Sequence, residues 1–201
     1  MEQKREIPDW EKRYCDDDVE SMPWFYPGLD PDLDEALPRL GISSGRALDL
    51  GTGPGTQAIA LARRGFQVTA TDIAATAVKK AEKRARREGV EVTFLHDDIV
   101  KSRLQGRFDF IFDRGCFHAL PPEQRGEYVR RTALLLEPGS YLFLKCFSYR
   151  ETMEEGPYRF TPEQIEELFG KNYKVHSICE TVFHGTLESC PKALFSTIER
   201  R

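Results

Sequence analysis

The chain has 201 residues, of which 40% are hydrophobic and 31% are charged, and its formal net charge is −4. This length fits one domain with a two- or three-layer core and argues against repeat arrays and disulfide miniproteins, and the composition argues against a disordered or membrane-embedded chain. Because basic residues are not in excess, we expect no nucleic-acid partner.

The first forty residues contain no strand pattern but are rich in aromatic side chains. Trp10, Tyr14 and Trp24 belong to this segment, and we expect residues 1–40 to form a helical lid beside a single domain of residues 41–201. The segment has no apolar core of the signal-peptide type, and no run of about 18 apolar residues occurs in the chain. We therefore expect a cytoplasmic protein that does not enter a membrane.

Seven apolar segments follow, and helical patterns alternate with them. In chain order these segments are residues 47–50, 66–71, 92–95, 108–112, 141–147, 174–183 and 193–198. The alternation predicts an α/β fold, in which a mostly parallel seven-stranded sheet lies between helices in a three-layer sandwich. The connection between the last two segments is too short for a crossover helix, so we expect the last strand to be antiparallel.

Helix boundaries are marked by glycine, proline and capping residues. Gly65 and Gly89 end the helical patterns that follow the first two strands. Pro121 and Pro122 open a helix that runs to about Leu136, and Pro138 with Gly139 is expected to break the chain before the next strand begins at Tyr141. Thr161 and Gln164 form a capping box at the start of a short helix that ends at Gly170.

The cysteines and histidines show no pattern of a metal site or of a disulfide framework. Five cysteines occur without any CxxC pair, and the four histidines are not spaced as metal ligands. We therefore expect reduced thiols and no bound metal.

The strongest signal for function is the segment DLGTGPG, Asp49 to Gly55, at the end of the first predicted strand. Its glycines let the backbone approach a ligand closely, and the helix that follows offers unpaired N–H groups. The dinucleotide fingerprint GxGxxG is not met, because Thr56 stands at its sixth position, and the segment matches (D/E)xGxGxG instead. By itself, this segment could also be a tight structural turn.

Acidic residues at the ends of the next three predicted strands favour a binding crevice over a structural turn; they are Asp72, Asp98 and Asp113. Asp72 lies 21 positions after Gly51, where a carboxylate can accept hydrogen bonds from both hydroxyls of a ribose. Asp98, followed by Ile99, lies where an acid can meet an adenine amino group while an aliphatic side chain packs on the ring, and Asp97 is the rival for this role.

These motifs resemble those of the class I S-adenosylmethionine-dependent methyltransferases over most of the chain. The resemblance implies a Rossmann-like fold and S-adenosylmethionine as cofactor, with DLGTGPG as the first motif, Asp72 at the ribose and Asp98 with Ile99 at the adenine.

Longer segments resemble the thiopurine S-methyltransferases and their bacterial thiol- and chalcogen-methylating relatives. These segments are FDRGCFHALPPEQRGEY from Phe112 and FSYRETMEEGPYRFTPEQIEELFG from Phe147, together with Trp10 and Tyr14. The resemblance implies that the aromatic N-terminal helix covers the cofactor and that Arg114 contacts it. This chain departs from the family in two respects: His118 replaces a small or aliphatic residue, and the chain is shorter than the eukaryotic enzymes, so we expect a different substrate pocket.

The expected site thus has a cofactor side and an acceptor side. On the cofactor side we expect Trp10, Tyr14, Asp49, Gly51, Gly53, Gly55, Asp72, Ile73, Asp98, Ile99, Asp113 and Arg114, and on the acceptor side Trp24, His118 and Tyr149. Aromatic faces would favour the sulfonium by cation–π attraction.

The leading hypothesis is methyl transfer to a small-molecule thiol or another soft nucleophile by a monomer or weak dimer. A thiol, with a pKa of about 8.5, is partly ionised at neutral pH and needs no general base, whereas a hydroxyl acceptor would need one. His118 is the candidate base, with a structural hydrogen-bonding role as the alternative. Two other hypotheses remain: methylation of a protein or nucleic acid, although DRGC stands where an NPPY-type motif would be expected, and a non-catalytic cofactor-binding module.

Overall fold

The computed structural model describes residues 5–201, so residues 1–4 of the expected lid lie outside the described residues. It contains eight strands: β1 (Arg46–Leu50), β2 (Gln67–Asp72), β3 (Thr93–His96), β4 (Phe108–Arg114), β5 (Leu136–Ser148), β6 (Arg159–Phe160), β7 (Tyr173–Val182) and β8 (Lys192–Arg200). The α-helices are α1 (Trp10–Asp16), α2 (Pro31–Arg39), α3 (Thr56–Arg63), α4 (Ala75–Arg87), α5 (Pro122–Leu135) and α6 (Pro162–Phe169). Within residues 5–201, no helix is long and apolar enough to cross a membrane.

The strands form one sheet in the order β3-β2-β1-β4-β5-β8-β7, and the two-residue β6 pairs with β5. The pairs among β1 to β5 are parallel, whereas β8 is antiparallel to both of its neighbours. The expected mostly parallel sheet with an antiparallel last strand is therefore confirmed, and β6 is an addition. The strand order reverses between β1 and β4, where open α/β sheets leave a crevice at the carboxyl ends of their strands.

Alternating side chains of the central strands face two separate cores. Leu48 and Ile111 belong to a cluster with residues of α5 and α6. Phe110 and Phe112 belong to a second cluster with residues of α2 and α3. Because successive residues of a strand point to opposite faces, this division produces the expected three-layer sandwich.

The strand β5 begins earlier than the proline and glycine at 138 and 139 suggested. It starts at Leu136, directly after α5, instead of at Tyr141. Leu136 pairs with Phe108, and the register then shifts so that Tyr141 pairs with Phe110. The exposed residues 137–139 are accommodated as an irregularity in the β4–β5 pairing, because a bulge tolerates residues that cannot join the regular ladder.

The N-terminal segment contributes to two parts of the fold. The helix α1 packs on α4, where Glu11 accepts hydrogen bonds from the backbone N–H and the hydroxyl of Thr76. In α2, Leu33, Ala36 and Leu37 are buried in the core against the sheet. We therefore propose a lid that is shorter than residues 1–40 and ends before α2.

A buried network of charges attaches this segment to the sheet. Asp30, the N-cap of α2, has no exposed surface and accepts hydrogen bonds from Arg114 Nε at 2.7 Å and Lys145 Nζ at 2.8 Å. Lys145 Nζ also lies 2.6 Å from Asp32 Oδ2. Burial by itself would raise the pKa of Asp30, but Lys145 and Arg114 outweigh it and hold the pKa below its usual value. Two acids therefore balance two cations at the ends of β4 and β5.

Replacing Asp30 by Asn should lower the free energy of unfolding by about 3–5 kcal/mol, because two buried cations lose a counter-charge while the helix keeps a capping side chain. Urea denaturation followed by circular dichroism measures the loss. Asp34→Asn is the matched control in the same helix: its pair with Arg64 is exposed and should contribute at most about 1 kcal/mol. Equal losses in the two variants would contradict the importance of the network.

Candidate active site

The turn between β1 and α3 can be formed only with glycine at its key positions. Gly51, Gly53 and Gly55 have φ angles of +64°, +50° and +78°, a region that other residues rarely adopt. Space is limiting as well, because a Cβ atom at Gly51 would lie 2.9 Å from Cys116 Cβ, and one at Gly53 would overlap the hydroxyl of Tyr14. Gly55 also leaves the first turn of α3 without a side-chain cap.

Asp72 connects this turn to the end of β2. Its Oδ2 accepts a hydrogen bond from the N–H of Gly53 and its Oδ1 one from the N–H of Ala74, both at 2.8 Å. The side chain is 6% exposed, and burial raises its pKa. Each carboxylate oxygen can accept more than one hydrogen bond, so Asp72 can still bind two hydroxyls at the crevice.

Apolar surface at this edge comes from Ile73 rather than from Ile99. Ile73 follows Asp72 and is 52% exposed, which is unusual for a large aliphatic side chain. Ile99 is buried in the core beside α5 and α6. Of the two expected isoleucines, only Ile73 therefore offers a free face to a flat ring.

The acids at the end of β3 are only partly buried. The side chain of Asp98 is 24% exposed, and its Oδ1 accepts a hydrogen bond from the N–H of Val100. The backbone N–H of Asp97 extends the β2–β3 pairing by donating to the carbonyl of Asp72. Its Oδ2 lies 3.7 Å from Lys101 Nζ, so Asp98 is partly exposed at the end of β3 with a loose ion pair as its other contact.

Asp113 is committed to the protein's own backbone. It has no exposed surface, and its carboxylate accepts hydrogen bonds from three backbone N–H groups, those of Gly115, Cys116 and Phe117, and from the hydroxyl of Tyr128 at 2.6 Å. These contacts leave no surface for a direct contact with a ligand. Asp113 instead shapes the turn that follows β4.

Three buried carboxyl groups lie around the glycine turn, at the ends of β1, β2 and β4. Asp49 is 1% exposed, and burial raises its pKa to about 7 although Thr52 donates a hydrogen bond to it. Burial likewise raises the pKa of Asp113 to about 6. The charges of Asp113 and Asp72 raise the pKa of Asp49 further. This side of the crevice is therefore suited to a ligand that carries positive charge.

Aromatic side chains of the N-terminal segment reach the turn. The hydroxyl of Tyr14 lies against Gly53 and accepts a hydrogen bond from Trp24 Nε1 at 3.2 Å. The ring of Trp10 meets that of Trp24 edge to face, with 5.6 Å between centroids. Trp10, Tyr14 and Trp24 are thus brought together beside the glycine turn, so Trp24, which was expected on the acceptor side, lies with the two aromatics expected on the cofactor side.

Arg114 lies at the carboxyl end of β4, as expected, but its side chain makes its hydrogen bonds to other residues of the protein. Besides its pair with Asp30, its guanidinium donates hydrogen bonds to the carbonyls of Trp24 and His184. The side chain is 7% exposed. Its contacts join β4 to the N-terminal segment and to the loop between β7 and β8, which is a positioning role.

On the expected acceptor side, His118 is buried and is not an accessible base. The ring of His118 is buried between those of Phe147 and Phe183, with centroids 5.0 Å and 5.4 Å away, and its Nδ1 accepts a hydrogen bond from the N–H of Phe147. Burial, with a smaller contribution from Arg114, lowers its pKa to about 3, so the ring is neutral at physiological pH. Tyr149 is 46% exposed and lies at the surface beside Arg150.

Sequence reasoning missed Asp30 and Lys145, which hold the site together from a distance. Lys145 stands in the apolar run YLFLKCF of a central strand, and it has no exposed surface. A charged side chain in such a run needs a buried partner of opposite charge. Lys145 was therefore the signal in the sequence from which a buried ion pair could have been predicted.

Comparison with known proteins gives a consistent result. The family model described as Thiopurine S-methyltransferase (TPMT) matches residues 5–194. "Probable thiol methyltransferase 2" of Arabidopsis thaliana is 28% identical over 161 residues, which are 79% of this chain and 70% of that protein. "2-heptyl-1-hydroxyquinolin-4(1H)-one methyltransferase" of Mycobacteroides abscessus is 29% identical over 160 residues, 78% of this chain and 70% of its own length.

A solved structure shares the fold over nearly the whole chain. It comes from the work titled "Conversion of a Disulfide Bond into a Thioacetal Group during Echinomycin Biosynthesis" and superposes with a TM-score of 0.82. The alignment covers 95% of this chain and 90% of the other, at 21% identity, and so supports the fold alone.

The raised pKa of Asp49 predicts a measurable pH dependence. The folded protein binds a proton at Asp49 more tightly than the unfolded chain does, so this group adds stability at low pH that is lost as the pH rises through about 7. Between pH 6 and pH 8, the free energy of unfolding should fall by about 1 kcal/mol more in the native sequence than in the Asp49→Asn variant. Urea titrations at both pH values measure this difference, and identical pH dependence in the two proteins would contradict it.

Proposed function

Because the chain belongs to the thiopurine S-methyltransferase family, we propose that it transfers a methyl group from S-adenosylmethionine to a thiol or another soft nucleophile of a small molecule. Its class, a small-molecule methyltransferase that uses S-adenosylmethionine, follows from the family and its relatives. One observation carries the choice of acceptor: the candidate base, His118, has a pKa lowered to about 3 and its Nδ1 already accepts a hydrogen bond, so this histidine is a poor base for a hydroxyl acceptor.

The residues around the glycine turn fit this cofactor. We propose that the backbone of residues 51–55 approaches it closely, that Asp72 accepts hydrogen bonds from its ribose, and that Asp98 meets its adenine. Ile73 supplies the apolar face for the ring in place of Ile99. The bound cofactor supplies a methyl group on a sulfonium, whose sulfur becomes neutral when the methyl group leaves.

Two features of this chain favour that positive charge. The buried carboxyl groups of Asp72 and Asp113 place negative potential beneath the turn, and Asp49, whose pKa is about 7, adds to it in its ionised form. The aromatic rings of Tyr14 and Trp24 add cation–π attraction from the other side, worth roughly 0.5–2 kcal/mol for a ring in contact with the cation. Together they favour the charged cofactor over its neutral product.

The acceptor side suits a nucleophile that arrives already ionised. A thiol with a pKa near 8.5 is a few per cent thiolate at neutral pH, and the thiolate is a strong nucleophile without a base. The aromatic rings of Phe147 and Phe183 provide an apolar wall for its carbon skeleton. Holding sulfur and methyl carbon about 3–3.5 Å apart and in line supplies much of the rate acceleration.

The remaining proposals concern the setting in which the enzyme acts. We propose a cytoplasmic protein that acts as a monomer or weak dimer on free small molecules, without nucleic acid. The five cysteines are all free, as expected in a reducing compartment, and the net charge of −4 offers little attraction for a phosphate backbone.

A methyl-transfer screen tests the proposed function. The protein is incubated with S-adenosylmethionine that carries a tritiated methyl group and with separate pools of thiols, hydroxylated aromatic compounds, protein and RNA. We expect label in the thiol pool. Label confined to protein or RNA, or cofactor binding without transfer to any pool, would contradict the proposal.

Replacing Asp72 by Asn should weaken binding of S-adenosylmethionine by about 1.5–3 kcal/mol, because hydrogen bonds from the ribose to a charged acceptor become weaker. Isothermal titration calorimetry measures the change. Glu91→Gln, at an exposed acid just before β3 and at the opposite end of the sheet, is the control and should bind as the native protein does. Unchanged affinity in the Asp72 variant would contradict the ribose assignment.

A further inference from the structure

The segment of residues 9–20 and the helix α4 carry opposite charges. The segment contains six acidic and two basic residues, whereas α4 contains six basic residues and one acid. The chain as a whole has a net charge of −4, so the positive charge of α4 is a local feature. Opposite charges on two packed elements attract each other, and residues 9–20 are named the acidic segment below.

Two basic side chains of α4 bind the acidic segment directly. Arg84 Nη2 donates a hydrogen bond to Glu20 Oε1 at 3.0 Å, and Lys80 Nζ donates one to the backbone carbonyl of Asp17 at 3.2 Å. The side chain of Glu20 is 64% exposed, so its pair with Arg84 is in contact with solvent. Salt therefore screens this attraction.

Glu11 of the acidic segment caps the N-terminus of α4. The N-cap residue of this helix is Ala74, whose side chain cannot accept a hydrogen bond from the first turn. The carboxylate of Glu11 takes this role, because it accepts hydrogen bonds from the N–H of Thr76 at 3.0 Å and from its hydroxyl. These bonds, above all the one from the hydroxyl, hold the pKa of Glu11 below its usual value, so a negative charge meets the positive end of the helix dipole.

This cap lies next to the expected cofactor site. The helix that Glu11 caps begins three residues after Asp72, the carboxylate expected at the ribose. Tyr14 follows Glu11 on α1 and is only 4% exposed, and its hydroxyl lies so close to Gly53 that a Cβ atom there would overlap it. A ligand therefore reaches the backbone of Gly53 only after Tyr14 has moved.

The residues that follow the acidic segment are attached in a different way. Thr186 donates a hydrogen bond to the backbone carbonyl of Met22, and Arg114 donates one to that of Trp24. Both acceptors are backbone carbonyls, so neither contact depends on an exposed acid. Salt that weakens the contacts of the acidic segment should therefore leave residues 22–30 in place, and α1 is the part that moves.

We infer that the acidic segment is a salt-sensitive cover of the glycine turn, held on α4 by Lys80, Arg84 and the positioning residue Glu11, and this inference rests on the proposed function. At low ionic strength, the attraction between the segment and α4 keeps Tyr14 on Gly53. Salt screens the exposed contacts, so α1 leaves α4 more often and the cofactor enters and leaves the turn faster. The affinity changes less than the two rates, because the same opening precedes binding and release.

Tryptophan fluorescence tests the cover without any ligand. Trp10 lies in the acidic segment and Trp24 beyond it, and these are the two tryptophans of the chain. Acrylamide quenching of the full-length protein is measured from about 20 mM to about 500 mM NaCl, over which the Debye length falls from roughly 20 Å to roughly 4 Å. We expect quenching to increase with salt, because Trp10 separates from the ring of Trp24. Quenching that does not change with salt would overturn the inference.

Stopped-flow fluorescence measures how fast S-adenosylhomocysteine, which has no net charge at neutral pH, binds and dissociates. In Arg84→Gln at low salt, we expect both rate constants to be about threefold to fivefold higher than in the native protein and to depend less on salt. Arg87→Gln is the matched control, because Arg87 is exposed on the same helix and its side chain makes no ion pair or hydrogen bond within residues 5–201. Equal rate constants in the two variants would overturn the inference.

Two substitutions of Glu11 separate its charge from its hydrogen bonds. Glu11→Gln keeps an acceptor oxygen for Thr76, whereas Glu11→Ala keeps neither the acceptor nor the charge. We expect both the rate constants and the deuterium exchange of the Thr76 N–H, followed by NMR, to rise from the native protein through Gln to Ala, while circular dichroism shows that both variants are folded. Unchanged exchange of Thr76 in Glu11→Ala would overturn the capping role. If S-adenosylhomocysteine does not bind the native protein, the proposed cofactor site fails, and the quenching and exchange data still decide whether the segment is a salt-sensitive cover.

Discussion

The buried pairing of Asp30 with Arg114 and Lys145 is the constraint on which the site depends. It fastens the start of α2 to the carboxyl-terminal parts of β4 and β5, the strands next to the expected acceptor side. Arg114 also donates a hydrogen bond to the backbone carbonyl of Trp24. The same network therefore holds the part of the N-terminal segment that carries Trp24. The cost of burying Asp30, Arg114 and Lys145 is offset because these charges are closely hydrogen-bonded and the partly exposed Asp32 supplies the second negative charge.

The two sides of the expected site differ in their electrostatic character. Beneath the glycine turn lie buried carboxyl groups, Asp49 and Asp113 among them, whose pKa values are raised by burial. Near His118 lies the charge network, in which Asp30 and Asp32 balance Arg114 and Lys145. If the glycine turn binds the sulfonium as proposed, the acids beneath it favour the positive charge, whereas the other side is close to neutral.

Local sequence patterns predicted most of the fold and part of the site. The seven main strands, the glycine turn and the capping box at Thr161 depend on periodicity and on short-range hydrogen bonds, which the sequence displays directly. The pair of Asp30 and Lys145 spans 115 positions, and no local pattern records such a contact. The early start of β5 was missed because an irregularity in its pairing with β4 accommodates the proline. The role of Asp113 as a hydrogen-bond acceptor for the turn after β4 could not be predicted, because the backbone N–H groups come together only in the folded turn.

The loop between β7 and β8 packs against the N-terminal segment at Met22 and Pro23. Thr186 donates hydrogen bonds to the carbonyls of Pro23 and Met22, and Gly185 leaves no room for a side chain beside Pro23. The β7–β8 hairpin is therefore packed against the segment that carries Trp24. Insertions or deletions in this loop would shift that segment without changing the strands β1 and β2 beside the glycine turn, so under the proposed function the loop is a place where the accepted compounds can change while the methyl donor stays the same.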